Sequence, residues 1–320
     1  MAKKVILDVD TGTDDAVALM VAELSPDLEL IGATTVNGNT DVASCTENTL
    51  RVFDYIGAEK PVFQGCPAAM VTNLSPNRKS AGLQQEIGEA IHGKLLDLPA
   101  AKSTKQEQHA VSWLIETYLK SDGDITLIPV GPLTNIAMAI RMEPRILEKI
   151  PEIVIMGGGV HLNNVSASAE FNFWVDPEAA KIVMNCGRPI RLVPLDATHR
   201  AYISREECQR LRDIGTPGAV ASAIAIEHRL EGYNAIQPME VPDTVPVHDA
   251  LAVCSVIDPS VIETVHVNVD VDISGGIADG QSVCDMRGSN KKLPPNAYVA
   301  INADRQKYVD MLCEILGRII

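Results

Sequence analysis

The stretch KKVILDVDTGTDDAVALMVAEL, residues 3 to 24, limits the fold more than any other part of this 320-residue chain. KKVIL is β-branched and apolar, the pattern of a short buried strand. AVALMVAEL is apolar nearly all round and rich in helix formers, which marks a buried helix. Between them Gly12 allows a tight bend, and Asp8, Asp10, Asp14 and Asp15 crowd into eight positions. The unit is a strand, a loop at its carboxyl end and a helix, and open α/β sheets bind ligands at that edge. A helix N-terminus favours one or two negative charges through its dipole and free N–H groups. Four carboxylates at this spacing repel, and some take up protons at neutral pH unless a cation sits among them. The competing reading has Asp14 and Asp15 capping the helix while Asp8 ties down the loop, which explains one acid better than four.

Strand-like and helix-like stretches alternate through the rest of the chain. LELIGATTV, PVFQG, DITLIPV, EIVIM, PIRLVP, TVHVNVDVDI and AYVAINA read as strands. DVASCTENTLRVFDYIG, DPEAAKIVMN, RQKYVDMLCEILGRI and three stretches between about 204 and 257 read as helices. EQHAVSWLIETYLKS is amphipathic, with Ala110, Val111, Leu114, Ile115, Tyr118 and Leu119 facing inward. Residues 66 to 108 form a long irregular connection holding one short helix, AGLQQEIGEAI, and such segments are often functional. The alternation predicts α/β architecture: an open, mainly parallel sheet with helices on both faces, in one domain over residues 1–320.

Net charge is −15 and no block of Lys or Arg appears, since NRKS and NKK are too short, so a nucleic-acid polymer is not the partner. Small molecules, or copies of the same chain, are. No apolar run reaches bilayer length, and MAKKVILDVD meets acid too early for a signal peptide, so no membrane partner and a cytoplasmic location are expected. The seven cysteines form no C-x-x-C pair, which leaves neither a zinc ribbon nor a thioredoxin-type site and predicts mostly buried, reduced thiols.

Other polar residues end other strand-like runs. NGNT places Asn37 and Asn39 in a loop, with Asn37 read as part of an Asn-Gly turn. In MGGG the glycines admit either a ligand near the backbone or a sharp turn. In SASAEFNFWV an extended backbone would aim Glu170 and Asn172 one way and Phe171 and Phe173 the other, which suits hydroxyl recognition. VPVHDALAV sets His248 and Asp249 before an apolar helix; beside an acid cluster, they read as a proton donor and a metal ligand. Asp270 and Asp272 read as the solvated face of a strand. Oxygen ligands select Ca²⁺ or Mg²⁺ over zinc.

DVDTGTDDA, GN at 38–39, TLIPVGPLTNIA, MGGG, AEFN and HDALAV together resemble, in order, the motifs of the inosine–uridine-preferring nucleoside hydrolases. The resemblance runs from about residue 5 to 257 and implies a Rossmann-like sheet and hydrolysis of a ribonucleoside to ribose and free base. It implies Ca²⁺ held by Asp10, Asp15, Asp249 and the backbone carbonyl of Thr126, with Asp10 as the general base. Asp14, Asn164, Glu170 and Asn172 would bind ribose hydroxyls, Met156 would line the sugar site, and Asn39 would lie near the reaction centre. His248 matches a leaving-group acid, His92 and Tyr233 are the candidate base contacts, and the family assembles as homodimers or homotetramers. IHGKLLDLP departs from the family's pattern by lacking its Gly-Leu-Gly. Two other functions compete: a Mg²⁺ phosphatase of the haloacid-dehalogenase type with Asp8 as nucleophile, and a non-catalytic ribose-binding protein.

Overall fold

The computed structural model describes residues 2–71, 74, 81–289 and 293–320; the short basic stretches at 77–80 and 290–292 lie outside them. Its strands are β1 (Lys3–Val9), β2 (Leu28–Thr35), β3 (Val62–Gln64), β4 (Ile125–Pro129), β5 (Ile153–Met156) and β6 (Ile190–Val193). The later ones are β7 (Tyr202–Ser204), β8 (Thr244–Pro246), β9 (Ile262–Val267), β10 (Val269–Val271), β11 (Ser282–Cys284) and β12 (Ala297–Ala303). Eight of them form one sheet in the order β3-β2-β1-β4-β5-β6-β12-β9. Neighbours run parallel except β9, which is antiparallel to β12. The α/β expectation of a mainly parallel sheet is met.

Strand β1 shows why the sheet is covered on both faces. Val5, Leu7 and Val9 enter one apolar core and Ile6 the other, the period-two alternation of a pleated strand. Each such side chain, fully buried, contributes roughly 1.5–3 kcal/mol of transfer free energy. The Thr13–Leu24 helix is buried on almost every side. It packs against the Pro217–Ile236 and His248–Ile257 helices. That packing accounts for its all-round apolar sequence.

The chain leaves β1 toward β2 on one side and β4 on the other, so strand order reverses between β1 and β4. Asp8 pairs with Pro129 across that junction. Residues just past both strands therefore emerge side by side at the sheet's carboxyl edge. A crevice opens where order reverses, the usual ligand position in such sheets.

Three local expectations fail. TVHVNVDVDI is two strands: the chain turns at Asn268, whose neighbour Val269 donates its N–H to Asn296 Oδ1 at 2.7 Å, and β10 pairs with β11 in a separate hairpin. Asp270 is half-buried and accepts from Lys181 Nζ at 2.6 Å, while Asp272 lies beyond β10 and bonds Ser274. Leu119 is exposed, because it falls one residue from the end of the Ala110–Lys120 helix. The cysteines are all unpaired, with Cys45, Cys208 and Cys254 buried and the other four partly so.

Candidate active site

Loop geometry after β1 separates the four aspartates. Asp15 stands at the third helical position, where its carboxylate accepts from the N–H groups of Gly12 at 2.9 Å and Asp10 at 3.1 Å. This is a cap, and it uses one acid. Asp10 Oδ2 accepts from Asn39 N–H at 2.7 Å, and Asn39 Nδ2 returns to the Asp10 carbonyl at 3.3 Å. Asp14 forms a two-point ion pair with Arg229, at 3.1 and 3.0 Å. Asp8 does not tie down the loop. It lies within β1, fully buried, and accepts from Thr34 Oγ1 and Asn135 Nδ2. Asp8 is sealed from the crevice, so the phosphatase reading loses its nucleophile.

Asp249 enters from the first turn of the His248–Ile257 helix. One carboxylate oxygen each from Asp14, Asp15 and Asp249 lies within 4.8 Å of the others, and all three residues are buried. Burial, then the neighbouring carboxylates, push Asp10 and Asp249 well above the usual carboxylate range, and Asp15 up to about 7. This is what a buried cluster of like charges does when a single cation, Arg229 on Asp14, is the counter-charge beside it. A buried set of oxygen donors is the chemistry of a hard divalent cation, whose charge reverses that protonation tendency. The residues therefore fit one.

Thr126 does not belong to this set. It sits in the middle of β4 opposite Val5, three residues before the level of Asp8. The strand-end carbonyl at the crevice is that of Val130, whose N–H donates to the Asp8 carbonyl at 2.8 Å.

A cavity of about 200 Å³ opens over the cluster. Asp10, Asp14, Asn39, His92, Met156, Asn164, Glu170, Asn172, Tyr233, His248 and Asp249 all line it; Asp15 lies just outside the lining and Thr126 away from it. The Glu170–Asn172 segment is not extended. Glu170 caps the short Phe171–Val175 helix, accepting from Asn172 N–H at 3.0 Å. Its other oxygen accepts from Gly158 N–H at 2.7 Å, in the MGGG loop, where Gly158 has φ +67°. Phe171 consequently lines the cavity beside Glu170, and only Phe173 enters the core. Burial, opposed by these N–H groups, moves Glu170 up to about 7. Asn172 Nδ2 donates to the Val130 carbonyl at 2.7 Å and to Met156 O at 3.2 Å, so one amide ties together the ends of β4 and β5.

Opposite chemistry comes from the Pro217–Ile236 helix and the Ala81–His92 helix. His92 Nδ1 accepts from Thr13 N–H at 3.1 Å, which leaves the neutral ring's proton on Nε2. His248 Nε2 lies 2.8 Å from Tyr233 Oη and its Nδ1 lies 2.6 Å from Thr198 Oγ1. Burial, then the Arg229 charge, drive His248 far below its usual pKa. Arg229 escaped sequence reading. Its signal was available: a cation four residues before Tyr233, on the helix face that also carries buried Ser222 and Ile226.

Two glycines make room for Asp10. A Cβ at Gly38 would lie 1.9 Å from Asp10 Oδ2, and one at Gly131 would lie 2.6 Å from Oδ1. Both approaches are shorter than van der Waals contact allows. Gly38→Ala should therefore displace the carboxylate and reduce turnover by about 100-fold, as misplacing a reacting group by an ångström does. Steady-state kinetics on protein that retains its native circular dichroism checks this.

A family model described as inosine-uridine preferring nucleoside hydrolase matches residues 5–310. The chain belongs to that family. It is 38% identical to an inosine-uridine preferring nucleoside hydrolase of Leishmania major over 322 residues, 100% of this chain and 99% of the relative. It is equally 38% identical to the pyrimidine-specific ribonucleoside hydrolase RihB of Escherichia coli, over 94% of this chain and 93% of that one. Among solved structures, a purine-preferring ribonucleoside hydrolase from Gardnerella vaginalis superposes with a TM-score of 0.87 at 30% identity, covering 98% of both chains. This nucleoside hydrolase is thus an enzyme that cleaves the N-glycosidic bond of ribonucleosides. Among its described residues no helix is long and apolar enough to cross a membrane.

Proposed function

We propose that the enzyme hydrolyses inosine and uridine to ribose and free base in a Ca²⁺-dependent reaction with Asp10 as general base. The observation that carries this is the buried acid cluster at the β1–β4 crevice, opening into a cavity with polar groups suited to a ribose. Asp10, Asp15 and Asp249 would hold the cation, with the Val130 carbonyl in the place first assigned to Thr126. A Ca²⁺ ion held there would orient the attacking water and ribose hydroxyls, and would lower the water's pKa.

The chain's own residues then divide the work. Asp10, fixed by two bonds to Asn39, takes the proton from the attacking water. Asn164, Glu170, Asn172 and Asp14 hold ribose hydroxyls from the cavity wall. The sugar gains positive charge as its bond to the base stretches, as in glycoside hydrolysis generally. Acidic side chains around it stabilise that charge. The departing nitrogen needs a proton. Both ring nitrogens of His248 are already engaged, so His248 reaches the base only through the hydroxyl of Tyr233.

The test is a panel of purine and pyrimidine nucleosides assayed for reducing sugar, with and without chelator. Ribose release from inosine or uridine that chelation abolishes is the expected result; no reducing sugar from any nucleoside in the presence of Ca²⁺ overturns the reading. A second prediction concerns the relay. Tyr233→Phe and His248→Ala should each lower kcat by 10²- to 10³-fold, within the usual range for acid–base groups. The double variant should be no worse than the poorer single one, because the two act as a unit. Additive losses in the double-mutant cycle would mean two separate roles.

A further inference from the structure

Proton transfer by Asp10, Tyr233 and His248 leaves Arg229 without a task. It is a cation only 3% exposed, in the wall of a cavity whose acids include Asp10, Asp14, Glu170 and Asp249. A positive charge beside a sugar that is itself becoming positive opposes the reaction. The same charge at the other end of the breaking bond favours it. Arg229 lies with the residues assigned to the base. Its guanidinium carbon stands 4.9 Å from the centroid of the Tyr233 ring, and its Nη1 stands 3.2 Å from His92 Nε2. Asp14 joins the two ends of the cavity, near Asp15 and Asp249 on one side and 3.0 Å from Arg229 on the other.

An inventory of the guanidinium's five N–H groups shows what is free to act. Nε donates to the Pro246 carbonyl at 2.8 Å, Nη1 donates to Asp14 Oδ1 at 3.1 Å, and Nη2 forms an ion pair with Asp14 Oδ2 at 3.0 Å. The remaining two have weak contacts. One Nη2 hydrogen reaches Tyr233 Oη at 3.4 Å. One Nη1 hydrogen meets Thr13 Oγ1 at 3.5 Å, and His92 Nδ1 at 3.4 Å, which Thr13 N–H already occupies. Nη1 also lies 3.2 Å from His92 Nε2. Two hydrogen bonds and the ion pair with Asp14 therefore fix the guanidinium plane, and the Nη1 and Nη2 hydrogens turned from Asp14 are poised beside the cavity with poor partners.

We infer that Arg229 is a further catalytic residue, whose two loosely held N–H groups receive the departing base. The C1′–N bond breaks heterolytically and its electron pair moves onto the base nitrogen, facing the guanidinium. Water oxygen bonds to C1′, its proton goes to Asp10, and the base takes a proton through Tyr233. Asp14 neutralises Arg229 in the resting enzyme, which is why a cation is tolerated so near the sugar. The inference rests on the nucleoside hydrolase reading.

The experiment compares Arg229→Gln and Arg229→Lys with the parent enzyme on two substrates. One is uridine or inosine, whose base is a poor leaving group. The other is 4-nitrophenyl riboside, whose phenolate departs without help. Arg229→Gln should lose about 100-fold in kcat/KM on the nucleoside, the scale of a lost charge-stabilising donor, and less than about 5-fold on the aryl riboside. Arg229→Lys keeps the charge that pairs with Asp14 but not the fork, and should fall between on the nucleoside alone. It carries the comparison if the Gln variant is destabilised. Equal losses on both substrates by Arg229→Lys overturn the inference and leave Arg229 an orienter of Asp14. A parent enzyme that cleaves neither substrate overturns the hydrolase reading instead.

Discussion

Asp10→Asn should lower ribose release by about 10⁴-fold, the upper range for removing a general base, while leaving the cation-free protein as stable as the parent or more so. The two effects have opposite signs for one reason. Asp10 is almost completely buried. Burial, then the charge of Asp15, hold its carboxyl well above its usual pKa, so the ionised form is disfavoured in the folded chain. An asparagine keeps the shape and can still accept from Asn39 N–H, but carries no charge. Activity needs the carboxylate as proton acceptor and cation ligand; stability without a cation is better served by its absence. Reducing-sugar assays and thermal melts in chelator measure the two. If Asp10→Asn retains more than about one part in a hundred of parental kcat under saturating Ca²⁺, Asp10 is not the base.

Fold class was legible because apolar periodicity is a local property. The strands ending at Val9, Thr35, Pro129, Met156 and Val193 are short β-branched runs bounded by turn residues, and parallel pairing follows from the helices between them. The acid cluster was legible because four carboxylates in eight positions violate ordinary electrostatics. What could not be read was orientation. Nothing local says that Asp8 turns into the sheet toward Asn135, 127 residues away, while Asp10 turns to the crevice. The alternation at Glu170–Phe173 imitated a strand, yet Glu170's carboxylate finds N–H partners in its own first turn and starts a helix. The Thr126 assignment rests on resemblance; register against Val5 places the first residue past the strand four positions later, at Val130. Arg229 was invisible for a related reason. An arginine in a long helix normally faces solvent, and only the fold reveals that this one meets Asp14, 215 positions earlier in the chain.

The largest expected effect of removing an ion is on stability as well as turnover, and pH sets its size. Asp15 and Glu170, both driven up by burial, have folded pKa values of about 7, above the usual 3.8 and 4.5. Below pH 4 these groups are protonated folded or unfolded, and cost nothing. Between about pH 4 and 7 the unfolded chain has released the protons while the folded one retains them, so stability falls as pH rises. Asp10 and Asp249, also held well above the usual carboxylate range by burial and neighbouring carboxylates, add to the decline. The cation-free enzyme should accordingly melt at a lower temperature at pH 8 than at pH 5. Ca²⁺ must displace these protons to bind, so it binds more tightly as pH rises. At a hundredfold excess over its dissociation constant it adds about 2.7 kcal/mol, or about 4 °C for a chain of this size. Melting curves from pH 5 to 8, with chelator and with added Ca²⁺ or Mg²⁺, should show a stabilisation that widens with pH. Turnover should vanish in chelator and return with Ca²⁺. Identical melting temperatures with and without the ion at every pH, together with chelator-resistant turnover, would leave the aspartates an electrostatic cost with Arg229 as compensating charge and remove the basis for a cation in the reaction.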